Sequence, residues 1–235
     1  MLNVIIIGSS GMLGKAVHAR FPEAVCVPRK RFNTHGEWWR DSPAMVTCVA
    51  KLDQPTVVLH CAGLNREKSE IVGRVGAMRS NVYGTYNVFD FCDYMDASLV
   101  YFSTEYVFDG TRGNYRPTDK PNPVNYYGET KLAGEIITLS KPSNMVIRVS
   151  AMPEPFPYRM AFTDVFSSRL PIDQAALKIE QLVRQRSQGI HHVCGPRQSL
   201  YDYALSRRVD AIPKEADSIF FRDVVKPMDT SLLES

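Results

Sequence analysis

Tyr127 and Lys131 stand four residues apart in the run Tyr127-Gly128-Glu129-Thr130-Lys131. On a helix that spacing is about 400° of rotation, so both side chains share one face. A phenol can give a proton to a forming alkoxide, but a free tyrosine titrates at about 10. Acid–base work near neutrality therefore needs a fall of about three pH units, or roughly 4 kcal/mol. An ammonium beside the phenol acts in that direction, because a neighbouring cation favours the phenolate. The pair predicts a lysine-tuned proton donor. Taken alone, so short a motif is more often an ordinary tyrosine and lysine on a helix surface. Tyr126 lies five residues from Lys131 and points elsewhere.

A helix must carry the pair. Leu132, Ala133, Ile136 and Ile137 suit one, and Asn125 is a good N-cap before it. Upstream, Ser98-Leu99-Val100-Tyr101-Phe102 reads as a buried strand that ends in Ser103-Thr104-Glu105-Tyr106. Further strands are expected at Leu2–Ile7, 24–27, 56–60 and Met145–Val149, with helical stretches at 12–21, around 43–52 and at 67–95, the last broken near Gly73 or Gly76. Alternating strands and helices imply a doubly wound parallel sheet, with ligands at the carboxyl ends of its strands.

The first of those ends runs into Gly8-Ser9-Ser10-Gly11-Met12-Leu13-Gly14. A glycine-rich turn between strand and helix is the context for a dinucleotide fingerprint. Gly8 serves the tight turn, Gly11 a close approach to a pyrophosphate, and Gly14 close packing of helix on strand. The N–H groups around Ser10, Met12 and Leu13 open the helix toward a phosphate. A glycine-rich turn without a ligand is the alternative. Small residues Ala62 and Gly63 end the strand at 56–60 and admit a flat ligand. The run Ala24–Val27 ends in Pro28-Arg29-Lys30-Arg31, with no carboxylate where NAD's ribose would be held. Arg29 and its neighbours favour the 2′-phosphate of NADP, with NAD still open and a solvated basic loop as the plain alternative.

After Ser150 the texture changes. Met152-Pro153-Glu154-Pro155-Phe156-Pro157 is a proline-rich joint, a helix is expected at 172–187, and a short strand at 191–194. The expected division is a nucleotide-binding domain at 1–150 and a small substrate lobe at 151–235. His191, His192 and Cys194 lack a second ligand cluster, so they read as strand residues and no metal is expected. The 235 residues are 44% hydrophobic and 23% charged, with a net charge of +3, too mild to point to nucleic acid or a membrane surface. No apolar run approaches the ~18 residues of a membrane helix. Five scattered cysteines without a Cys-x-x-Cys suggest free thiols and a cytoplasmic setting.

The glycine turn, Ser103-Thr104-Glu105-Tyr106-Val107-Phe108-Asp109-Gly110 and Tyr126-Tyr127-Gly128-Glu129-Thr130-Lys131-Leu132-Ala133-Gly134-Glu135 stand in order. Together they resemble the extended short-chain dehydrogenase/reductases, and within them the dTDP-4-dehydrorhamnose reductase family. The resemblance covers residues 2 to about 150, and resumes more weakly at 189–195 and 227–233. It implies a Rossmann-type fold and an NAD(P)H-dependent reduction of a 4-keto-6-deoxy nucleotide sugar. It makes Tyr127 the proton donor, Thr104 the hydroxyl on the reacting carbonyl and Lys131 the lysine on the nicotinamide ribose. It also places Asn81 beside the cofactor, and Glu105, Tyr106 and Arg148 on the substrate side. Two departures stand out: Glu105 replaces the usual aspartate, and the segment after Arg148 is short and proline-rich. An epimerase or dehydratase on the same fold, a non-catalytic NADP-binding regulatory subunit, and a homodimer remain open.

Overall fold

In the computed structural model, residues 2–27, 56–216 and 229–234 are described. The Arg29–Lys30–Arg31 cluster and the helix expected around 43–52 lie outside them.

Among the described residues, six strands form one parallel sheet in the order β2-β1-β3-β4-β5-β10. These are β1 (Asn3–Ile7), β2 (Val25–Val27), β3 (Thr56–His60), β4 (Ser98–Thr104), β5 (Met145–Val149) and β10 (Gly189–Val193). All five residues of β3 are buried, as expected for a strand covered on both faces. The side-chain alternation of β1 shows the two coverings. Val4 and Ile6 pack with Val17, Phe21, Ala175, Ile179 and Val183, from α1 (Met12–Arg20) with the adjoining Phe21 and from α5 (Ile172–Arg184). Ile5 and Ile7 pack instead with Val88, Phe91 and Cys92 of α3 (Gly84–Tyr94).

The stretch between β3 and β4 is interrupted, as the glycines predict. Helix α2 (Arg66–Met78) breaks at Gly73, whose φ of +72° suits glycine. A π-helical turn, Arg79–Tyr83, then leads into α3. The tyrosine helix is α4 (Tyr126–Leu139), and the Asn125 side chain accepts the Gly128 N–H at 2.8 Å.

The expected boundary at residue 150 does not divide the molecule. Helix α5 packs beside α1, and β10 adds to the main sheet next to β5 in parallel register. The lobe proper is built from short pairings: β6 (Ala151–Met152) with β9 (Leu170–Pro171), β7 (Met160–Phe162) with β12 (Ile212–Lys214), and β8 (Phe166–Ser167) with β11 (Gln198–Ser199). Phe156, Ala161, Tyr203, Ala204 and Ala211 form its core, with Tyr203 and Ala204 on α6 (Leu200–Leu205). The segment 229–234 bridges both parts, pairing Asp229 with Phe166 and Leu232 with Tyr115.

Candidate active site

The site collects at the carboxyl ends of β1, β3 and β4. Gly8 follows β1 with a φ of +88°, and its N–H donates to the Val27 carbonyl at 2.9 Å. A Cβ on Gly8 would lie 2.6 Å from the Ala62 backbone nitrogen, and one on Gly14 would lie 2.2 Å from the Gly8 carbonyl oxygen. Both positions therefore require glycine. Gly11 does not: a Cβ there would make ordinary contact at 3.5 Å. Gly11 caps α1 without a side-chain bond, and no acidic residue stands in the first turn. The opening N–H groups of a helix have no intrahelical partners, so Met12, Leu13 and Gly14 offer a positive end. Exposed Ser10 and Met12 flank it. This cradle fits a dinucleotide pyrophosphate.

Asn81 is buried and engaged with the protein. Its Oδ1 accepts the Leu64 N–H at 2.7 Å, while Nδ2 donates to the Leu64 carbonyl at 3.3 Å and to the Thr130 hydroxyl at 3.1 Å. It thus ties the turn after Gly63 to α4, and positions Ala62 and Gly63 rather than presenting its own amide.

Thr104 closes β4 and caps the 3-10 turn Glu105–Val107, accepting the Tyr106 N–H at 3.3 Å. Its hydroxyl is also the hydrogen-bond partner of the Tyr127 phenol. Tyr106 meets Tyr127 edge to face, with ring centroids 6.2 Å apart. The phenol of Tyr127 is pushed up, not down as the pairing with Lys131 predicts. Burial is the largest cause, the Thr104 bond opposes it, and Glu105 and Tyr106 add to it. Tyr127 is therefore protonated throughout the physiological range.

Lys131 shares that face of α4 and is buried, which brings its ammonium down to about 7 despite Glu135 and Cys61. Its Nζ sits 4.1 Å from the centre of the Tyr101 ring. His60, at the end of β3, is held down to about 3 by burial and then by Lys131, with Nε2 3.2 Å from the Thr85 hydroxyl.

Arg148 corrects the expectation. It is 1% exposed, and its guanidinium grips the buried Glu135 at 2.8 and 3.0 Å. The ring of Phe108 lies 5.0 Å from Cζ. A side chain so enclosed joins α4 to β5 and does not reach a substrate. Glu105 is likewise buried and held by Arg169 at 3.4 Å and the Ser167 hydroxyl at 3.3 Å. It fastens the lobe to the sheet. Sequence reasoning missed Arg169 and also Arg66, whose Cζ lies 5.6 Å from the Tyr106 ring. Both come from distant stretches and carry no local signal. His192 makes backbone and arginine contacts, with Nδ1 2.9 Å from the Leu233 carbonyl and Nε2 3.4 Å from Arg148. Among the described residues no cluster could hold a metal ion, and no helix is long and apolar enough to cross a membrane.

A parallel sheet, a glycine turn at the end of β1 and a Tyr-x-x-x-Lys helix facing the end of β4 define an extended short-chain dehydrogenase/reductase. The family model of the RmlD substrate binding domain matches residues 2–167, and the chain belongs to that family. Two curated relatives differ in kind. Methionine adenosyltransferase 2 subunit beta from Bos taurus is 37% identical over 138 residues, covering 56% of this chain and 41% of that one. The dTDP-4-keto-6-deoxy-D-glucose reductase of Streptomyces niveus is 30% identical over 149 residues, covering 62% and 51%. The chain thus spans about half, or less, of the length of these relatives. A solved dTDP-4-dehydrorhamnose reductase from Bacillus anthracis, in complex with NADP, shares the fold with a TM-score of 0.80 at 23% identity, covering 99% of this chain and 90% of that one.

Proposed function

We propose that the chain binds NADP(H) along the glycine turn and reduces the ketone of a 4-keto-6-deoxy nucleotide sugar. The observation that carries the reading is the Tyr127 phenol: kept protonated by burial, bonded to the Thr104 hydroxyl, and one turn from Lys131. A bound nicotinamide supplies the hydride to the ketone carbon. Tyr127 gives its proton to the carbonyl oxygen as the alkoxide forms, and Thr104 steadies the same oxygen. The ammonium of Lys131 then offsets the charge left on the phenolate, which solvent reprotonates. The family and the Streptomyces reductase support this reading. The NADP complex of the Bacillus relative supports binding of a nicotinamide dinucleotide, and the basic run at Arg29 favours NADPH over NADH. The test is loss of NADPH absorbance with a panel of 4-keto nucleotide sugars, alongside calorimetric titration of both cofactors. NADPH binding without oxidation on any of them would sink the reductase reading; equal affinities would sink the preference.

A second reading is a cofactor-binding regulatory subunit, favoured by the match to methionine adenosyltransferase 2 subunit beta and by the short lobe after Ser150. It predicts NADPH binding without turnover and co-elution with a methionine adenosyltransferase catalytic subunit. Free elution of both proteins at micromolar concentration would reject it.

A further inference from the structure

The ammonium of Lys131 makes no ion pair among the described residues, although it is buried. The carboxylate one turn along α4 from it, Glu135, is taken by Nε and Nη2 of Arg148. What faces the ammonium is the Tyr101 ring, with its centre 4.1 Å from Nζ. That ring is itself fixed. Tyr101 is 1% exposed, and the His60 ring tilts against it with centroids 5.8 Å apart. Its phenol end occupies the space over Gly134, where a Cβ would come within 2.3 Å of Oη. Gly134 lies on α4 three residues past Lys131, so one helix face supplies both the cation and the gap that seats the ring under it.

We propose that Tyr101 is the positioning residue for Lys131: its ring face holds the buried ammonium in place and keeps it charged at the point where the cofactor is met. The inference rests on Lys131 being the cofactor-contacting lysine, but its test does not need turnover. A cation over an aromatic face is favoured most when water is excluded. The charged form needs that help, because burial already brings the lysine down to about 7. The other groups around it are His60 on β3, Cys61 just beyond it and Glu135 on α4, with the Tyr101 ring on β4 and the Tyr127 phenol that faces Tyr101. Apart from Glu135, paired with Arg148, these groups are uncharged near neutrality, since burial holds His60 down and Cys61, Tyr101 and Tyr127 up.

The experiment follows the titration of Lys131 itself, by NMR of the lysine side-chain carbons, with Lys131→Met giving the assignment. Tyr101→Phe keeps the ring and should leave the midpoint within a few tenths of a pH unit. Progressively fluorinated phenylalanines at 101 keep the shape but strip the negative face. Across that series the midpoint should fall stepwise, by about half to one and a half pH units in all. NADPH affinity at a pH just above the native midpoint should fall with it. Thermal stability should change little, which separates positioning from a purely structural role. A midpoint unmoved across the fluorinated series, or moved upward, would overturn the proposal. Turnover of a keto sugar with an unmoved midpoint would leave the reductase reading standing and remove only Tyr101's part in it.

Discussion

Gly14 lies directly over the carbonyl of Gly8: a Cβ on Gly14 would come within 2.2 Å of that oxygen. The start of α1 and the end of β1 therefore touch backbone to backbone, and Gly14→Ala should push the helix from the sheet. Overpacking of this kind costs about 1–3 kcal/mol. The melting temperature should drop by several degrees, and NADPH affinity should fall further than stability does, because the turn is the cradle. Gly11→Ala, in ordinary contact at 3.5 Å, is the control and should be mild on both measures.

In the reductase reading, Tyr127→Phe removes the proton donor while keeping the ring against Tyr106. The rate should fall by about 10²–10⁴-fold, with NADPH affinity nearly unchanged. Tyr126→Phe should keep full activity. A larger loss in Tyr126→Phe than in Tyr127→Phe would contradict the assignment of the proton donor.

Arg148 and Glu135 form a buried pair, so removing one partner strands a charge. Arg148→Met or Glu135→Gln alone should cost about 3–5 kcal/mol in urea unfolding. The double change to apolar residues should recover most of that loss and still bind NADPH. A double variant no better than the singles would show that the pair does more than join α4 to β5.

The histidines set an acid limit. His60 is held down to about 3 and His192 to about 4, against about 6.5 in an unfolded chain. The unfolded state therefore binds more protons between pH 6.5 and 4, and stability is lost as the pH falls through that window. His192→Gln keeps a donor and an acceptor but does not titrate, so its denaturation midpoint should depend less steeply on pH there. Lys131 acts at the other end. Lowered to about 7 from 10.5, it weighs on the fold below neutrality, and stability is regained as pH rises between those values. Lys131→Met should accordingly gain stability at pH 7 over the native chain, less so toward pH 10, while binding NADPH more weakly.

Most of the sheet was legible because buried parallel strands are plain apolar runs, and Thr56–His60 and Met145–Val149 fall at the expected residues. Asn125 as cap and the break at Gly73 were legible for the same local reason. What was hidden depends on distance along the chain. Nothing in Val146-Ile147-Arg148 says that Arg148 will find Glu135 across α4. The proline-rich joint reads as a border, yet α5 and β10 return to complete the sheet. The direction in which Tyr127 shifts depends first on burial, and then on Thr104 at the end of β4 and on Glu105 and Tyr106 in the turn beyond it, all far from α4 in sequence.

The stretch 229–234 carries a consequence for assembly during synthesis. Asn114 donates its N–H to the Ser231 hydroxyl at 2.8 Å, Tyr115 its N–H to the Ser231 carbonyl at 2.9 Å, and Arg197 pairs with Asp229 at 2.7 Å. The first two contacts join the loop that leads to α4 with a residue more than a hundred positions later, and the third ties the same stretch to the lobe. As the chain emerges from the ribosome, strands β1 to β5 can associate long before residues 229–234 reach that loop. The nucleotide cradle is thus an early structure and the approach to Tyr127 a late one. A nascent chain that already holds its dinucleotide would still be unable to close around a second molecule until residues 229–234 have emerged.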